Sequence, residues 1–262
     1  MHYLLWPMCD AWREQGHRVE VVHGPRRVDA DVVLLHVDRT VVPDAYLHAI
    51  AAHPRVLNRR VVDISKTLVS LNRVRTPEEW AGPVVVKTVR NAGGLPEAGG
   101  RWQRRWHEAA AAVLGLGRAR VIAGRYPVYD SAASVPARVY SHPALFVERF
   151  LPEPDGALYC VRSYTFFGDR FENVRYVGPF PIVKRRDVLS AEPAPVPPRI
   201  LELRARLGFD YGKFDYVLRG GEVVVFDVNR TPAFGGRPDE QERQGRLLAD
   251  GLAAVVEGAS PA

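Results

Sequence analysis

The chain reads as an α/β protein composed of α+β lobes, and three stretches carry that reading. Residues 31–37 (DVVLLHV) form a wholly apolar run between helix-like segments. Such a run suits a strand of a parallel sheet covered on both faces. Residues 159–169 (YCVRSYTFFGD) alternate apolar and polar, and residues 170–183 continue the pattern. That alternation predicts antiparallel sheet with one face in a core. Residues 214–218 and 222–229 are two further strand-like runs, joined by Arg219-Gly220-Gly221-Glu222, a hairpin signal.

Taken in order, residues 2–5 are expected to form a first strand, since HYLLWPMC lacks a basic leader and is too short for a signal peptide. A helix over 10–15 closed by Gly16, a strand over 19–22 and the 31–37 strand complete a small open α/β lobe. Pro83 marks the start of a strand with Val84, Val85 and Val86 as its body and Lys87 at its polar end. Residues 104–116 (RRWHEAAAAVLGL) are helical by propensity, and residues 126–143, rich in Ser, Pro and Tyr, read as irregular. Residues 144–156 are a strand running into a turn, 193–198 a loop, and 197–208 a helix with Pro at its start and Gly at its end. The acidic hairpin follows, then a terminal helix over about 240–256.

At 262 residues the chain can bury a full core and is near the length at which subdomains separate. No run approaches the ~20 apolar residues of a membrane span. Two cysteines, Cys9 and Cys160, make neither a metal spacing nor a disulfide scaffold, so a reducing cytoplasmic setting is the default. The net charge of +6 comes mostly from scattered Arg, with neither a basic block nor an aromatic-basic repeat. An anionic small ligand explains it as well as nucleic acid does, and we expect no nucleic-acid partner. A homodimer is the default assembly.

The strongest chemical signal is Asp227 and Asn229, two apart at the polar end of EVVVFDVNRTP, twelve residues after Asp215. Side chains at i and i+2 of a strand share a face, about 6–7 Å apart, and can grip one ion. Two registers are open. A two-residue Gly-Gly turn pairs Arg219 with Glu222 and puts Asp215 opposite Phe226, with the acids on opposite faces. An odd loop with a bulge puts Asp215 opposite Asp227. Carboxylate and amide oxygens without His or Cys suit Mg²⁺ or Mn²⁺. Asp227 and Asn229 also fit a plain strand end before Thr231-Pro232.

Lys87 precedes the Gly-rich stretch 91–100, which includes Gly93 and Gly94, and such a loop can lay backbone N–H groups on phosphate oxygens. Neither GxxxxGK[ST] nor GxGxxG occurs. Lys66 is a second phosphate candidate or a solvated helix-start Lys. Arg162, on a half-buried strand, calls for an anion or a carboxylate partner. Lys184-Arg185-Arg186 is a charge run that also fits a solvated face. Tyr3, Trp6, His36 and Asp38 could touch a substrate, though packing explains them equally well.

Together these residues resemble the ATP-grasp family, and within it the RimK-like carboxylate–amine ligases, over residues 58–234. The run GKFDYVLRGGEVVVFDVNRTP is similar to the family's metal-binding stretch, and VVVKTVRNAGG to its second phosphate Lys with Gly-rich lid. The resemblance implies an ATP-grasp fold: an N-terminal α/β lobe (1–57), a small lid subdomain (58–147) and a C-terminal subdomain (148–262), with ATP clamped between the last two. It also implies that Lys66 and Lys87 hold phosphates, that Glu148 to Leu151 form the adenine hinge, and that Asp215, Asp227 and Asn229 hold Mg²⁺. Arg162, with Arg186, would steady developing charge. Two departures stand out: Asp227 replaces the usual Glu, and no acid lies near Tyr159-Cys160 to hold the ribose, leaving Glu153 or Asp155 as substitutes. The implied reaction activates a small-molecule carboxylate as an acyl phosphate and joins it to an amine. Alternatives are an ATP-dependent small-molecule kinase and a nucleotide-binding regulator without turnover.

Overall fold

The computed structural model describes residues 3–91, 120–122, 126–233 and 236–257. Its first element is a helix, α1 (Leu5–Glu14), where the sequence suggested a strand; only Tyr3 makes a β-bridge, to Ala233. The spacing of Leu4, Met8, Ala11 and Trp12, all buried, has the helical period, and Pro7 sits in the first turn, where its missing N–H costs nothing. Residues 19–22 run without regular structure.

The parallel element is small: β1 (Val33–Leu34) pairs with β2 (Val56–Leu57), with α2 (Asp44–Ile50) between them. Then come α3 (Lys66–Val69), β3 (Arg73–Val74), β4 (Val84–Thr88), β5 (Arg120–Ile122) and β6 (Tyr126–Tyr129). A 3-10 turn at Ala132–Ser134, α4 (Ala137–Tyr140) and β7 (Leu145–Arg149) follow. Residues 126–143 are therefore ordered, because Val128, Tyr129, Ala132, Val135 and Val139 enter a core with Val84, Val86 and Val147. These strands form an antiparallel sheet in the order β3-β7-β4-β6-β5. The expected helix over 104–116 lies outside the described residues.

The second sheet comprises β8 (Glu153–Asp155), β9 (Leu158–Phe167), β10 (Arg170–Gly178), β11 (Ser190–Pro193), β12 (Tyr211–Arg219) and β13 (Glu222–Asn229). It runs β11-β10-β9-β12-β13, with β8 also on β9. On one face α5 (Pro198–Leu207), ended by left-handed Gly208, packs Ile200 and Leu203 against Tyr164, Phe166, Phe214 and Tyr216. Val61, Ile64 and Val69 join this core. Toward one end of the opposite face, α1 and α6 (Pro238–Ala249) cover Phe167 and Tyr211. The expected single terminal helix breaks at Asp250-Gly251 before α7 (Leu252–Glu257). Gly251 is required there because an added Cβ would lie 2.3 Å from the Phe167 carbonyl oxygen. No helix among the described residues is long and apolar enough to cross a membrane.

One side chain joins the N-terminal lobe to the end of β13. Arg230 is 0% exposed, and its guanidinium donates to the carbonyls of Val37 (3.0 Å), Val61 (2.7 Å), Thr40 (3.1 Å) and Arg39. Arg230→Met would leave these buried acceptors without their donors, so we expect a loss of at least about 3 kcal/mol in urea unfolding. Arg230→Lys, which supplies fewer donors in a different geometry, should recover only part of it.

Candidate functional site

The hairpin resolves the register question by combining its two options. The turn is the two-residue one: Arg219 pairs with Glu222, and Gly220 and Gly221 take φ of 59° and 83°. That is the type I′ conformation, which glycine adopts without steric cost. The bulge lies within the strand instead of the loop. Tyr216 pairs with Val225 but Asp215 pairs with Asp227, so Phe226 is the extra residue. Val225 and Val228 both enter the α5-side core, leaving Phe226 and Asp227 together between them. A bulge places two residues against one and shifts the strand's alternation by one step. The acids thereby come to the same face, opposite α5.

Each candidate lysine is matched with an acid. Lys66, buried at the start of α3, donates to Asp227 Oδ1. Lys87 Nζ lies 2.5 Å from Glu148 Oε2 and 5.1 Å from the Phe226 ring centroid. Lys213, two residues before Asp215, lies 3.1 Å from its carboxylate. Burial opposes the charge of both Lys66 and Lys213, but the carboxylates outweigh it. Asp227 raises Lys66 above the usual lysine value, and Asp215 with Asp227 does so for Lys213. The structure thus assembles Lys66, Lys87, Glu148, Asp215 and Asp227, and adds Lys213 and Phe226, which the sequence reading did not single out. Lys213 was legible as an i, i+2 partner of Asp215. Phe226 was not, because only the bulge turns it to this side.

Other expectations need correction. Arg162 pairs with Tyr216 in the β9–β12 register, so it faces the α5 side, whereas neighbouring Ser163 pairs with Asp215. Its guanidinium binds Glu153, which also accepts from Leu218 N at 2.6 Å. The carboxylate partner predicted for Arg162 is there, but on the wrong face for Asp215. Arg186 is exposed beside Asp187 at 3.6 Å, while Lys184 and Arg185 turn into a cleft by Asp215. Glu148, expected at an adenine hinge with Leu151, is 2% exposed and is held by Ser70 Oγ as well as Lys87, while Leu151 is half-buried. Glu153 and Asp155, the ribose substitutes, are bound to Arg162 and Arg175. Gly93 and Gly94 lie outside the described residues; Asn91 N donates to Thr40 Oγ1 at 2.9 Å, tying Asn91 to the segment that Arg230 grips.

Asn229 shares the site's face, yet its Oδ1 accepts from Thr231 N at 2.9 Å and lies 3.2 Å from Thr231 Oγ1. This Asx turn occupies the oxygen expected to meet a cation. Thr231 Oγ1 also reaches Asp38 at 3.1 Å, and Tyr3 Oη donates to Asp38 at 2.6 Å. Beside them, burial pushes His36 down to about 4, so it is neutral at pH 7. Among the described residues, no group of three or more His, Cys, Asp or Glu side chains is placed to hold a metal ion. Asp227 and Asp215 are two carboxylates balanced by two ammonium groups, those of Lys66 and Lys213. A divalent cation fits there, because Mg²⁺ is commonly held by one or two carboxylates plus phosphate oxygens.

With this geometry in place, comparison with solved structures defines the fold. The RimK domain ATP-grasp protein of Sphaerobacter thermophilus superposes with TM-score 0.51 at 14% identity, covering 97% of this chain and 96% of that one. D-cycloserine synthetase DcsG gives 0.51 at 14%, covering 95% and 93%. The ATP-grasp ligase PsnB, solved with minimal precursor, Mg and ADP, gives 0.50 at 15%, covering 97% and 94%. Neither a family model nor a curated protein matches by sequence. The chain has the ATP-grasp fold.

Because Lys66 is raised by Asp227, its contribution to stability is complete below the unfolded lysine value and fades as pH climbs through the higher folded one. We therefore expect Asp227→Asn to cost about 2 kcal/mol at pH 8, discounted for the carboxylate's partial exposure. Wild-type stability should fall above pH ~10.5, a dependence reduced in the variant, as read by urea unfolding across pH 8–11.

Proposed function

From an ATP-grasp fold, we propose that this protein is a RimK-like, Mg·ATP-dependent ligase that activates a carboxylate as an acyl phosphate and joins it to an amine. The observation that carries this reading is the bulge-set pairing of Asp215 with Asp227 on one face, ringed by Lys66, Lys87 and Lys213. Residues 1–57 wall the acceptor side, residues 58–147 close over the nucleotide, and residues 148–262 carry the cation and the chemistry.

Asp215 and Asp227 would hold Mg²⁺, which supplies charge neutralisation along the phosphates when bound. Lys66 and Lys87 bind phosphate oxygens, and the Phe226 ring beneath Lys87 shields that charge from water. Lys213 takes the role expected of Arg162, since it is the cation beside Asp215. The acceptor carboxylate oxygen attacks the γ-phosphorus, the bond to the β-bridging oxygen breaks, and ADP leaves. The amine nitrogen then attacks the acyl carbon, the carbon–oxygen bond to phosphate breaks, and the nitrogen's proton passes to water. Positioning and charge neutralisation suffice for both steps, without a covalent protein intermediate. PsnB is solved with a minimal precursor, so carboxylates carried on a precursor belong among the acceptors to be tried alongside small molecules. Two free, buried cysteines fit a cytoplasmic setting.

Incubation with Mg·ATP, a carboxylate panel and hydroxylamine should release ADP and yield a hydroxamate. Lys66→Met and Asp215→Asn should each reduce both by at least about 100-fold. ADP release from hydroxyl acceptors without hydroxamate would assign the site to phosphoryl transfer to oxygen, and Mg·ATP binding without turnover of any acceptor would make it a regulator.

A further inference from the structure

Asp38, on the segment between β1 and α2, is bound by two hydroxyls far apart in sequence. Tyr3 Oη donates to Asp38 Oδ2 at 2.6 Å, and Thr231 Oγ1 lies 3.1 Å from Asp38 Oδ1. The residue beside Thr231 sets this meeting. Arg230 donates to the carbonyls of Val37, Arg39 and Thr40, on both sides of Asp38. Consecutive residues at the end of β13 therefore grip the backbone around Asp38 and meet its side chain. Thr231 is 2% exposed, so its hydroxyl finds its acceptor within the protein.

That hydroxyl has one proton and two acceptors. Asn229 Oδ1 lies 3.2 Å from Thr231 Oγ1, against 3.1 Å for Asp38 Oδ1. A carboxylate is the stronger acceptor and takes the proton. The choice matters at Asn229, whose carbonyl oxygen has two lone pairs. Thr231 N uses one of them, at 2.9 Å. Without Asp38, the Thr231 hydroxyl would turn to the other. We propose that Asp38 is a positioning residue for the cation site: by holding the Thr231 proton away from Asn229, it leaves Asn229 Oδ1 one lone pair for a divalent cation at Asp215 and Asp227. Tyr3 braces the second carboxylate oxygen and so keeps Asp38 turned toward Thr231. The N-terminal lobe thereby acts on the cation face without touching the ion. The inference rests on the proposed cation position.

The test is calorimetric titration of AMPPNP in excess Mn²⁺, with EDTA as the cation-free control, into wild type, Asp38→Ala, Thr231→Val and the double variant, after thermal melts confirm folding. Asp38→Ala releases the Thr231 proton to Asn229 and should weaken binding in Mn²⁺ about tenfold. Thr231→Val leaves Asn229 with the backbone N–H alone and should bind at least as tightly as wild type. The double variant has no hydroxyl proton to misdirect and should regain wild-type affinity. Neither structural damage nor the mere loss of a negative charge near the cation would be repaired by removing a second polar group. If Asp38→Ala does not fold, Asp38→Asn takes its place, its one oxygen claimed by the closer Tyr3 hydroxyl, and the same restoration by Thr231→Val is required. Undiminished affinity in the Asp38 variant, or a loss that persists in the double variant, overturns the inference while the cation site stands. If wild type binds AMPPNP no more tightly in Mn²⁺ than in EDTA, the proposed function falls with it.

Discussion

The parity of β13 is the constraint on which the site depends. Strand side chains alternate, so a regular hairpin closed at Arg219–Glu222 would set Asp215 opposite Phe226 and turn Asp227 toward the core of Ile200 and Phe214. Burying an unpaired carboxylate there would cost several kcal/mol, and no cation could be shared. The extra residue at Phe226 lets Val225 and Val228 both reach the core while the acids face the opposite side. It also sets an aromatic ring under Lys87, so a single irregularity positions both acids and the surface beneath that lysine.

The bulge would count for little if the lysines were not held to the same strand. Arg230 does this through the backbone. Its four carbonyl partners lie on the 37–40 segment and at Val61, five residues before Lys66. Ile64 N donates to the Thr40 carbonyl, and Lys66 N to that of Val89, just beyond β4. A charge buried at the end of β13 therefore fixes the approach of Lys66, Asn91 and Asp38 together. Each ammonium of this assembly is matched with a carboxylate, so the three lysines are held in place by charge as well as by the backbone.

Much of this was legible in sequence, for identifiable reasons. Lys87 at the end of an apolar run, the acid-x-Asn pair and the Gly-Gly turn are local signals, and they fell where expected. Arg162 was misassigned because alternation tells which residues share a face but not which face holds the site; that depends on the β9–β12 register. Asn229 lies on the right side, but a turn it makes with Thr231 claims its oxygen. Helix α1 was missed because HYLLWPMC is continuously apolar, and its helical period shows only when Trp12 is included. The role of Arg230 had no sequence signal, since its partners are backbone carbonyls some 170 or more residues away.

The central claim is that Asp215 and Asp227, brought to one face by the Phe226 bulge, hold a divalent cation with ATP. Electron paramagnetic resonance of Mn²⁺ with ATP tests it most directly. Wild type should sequester Mn²⁺ in an ATP-dependent complex, and Asp215→Asn and Asp227→Asn, each shown to be folded, should return the free-ion signal. Undiminished sequestration in both variants would place the cation elsewhere and contradict this account.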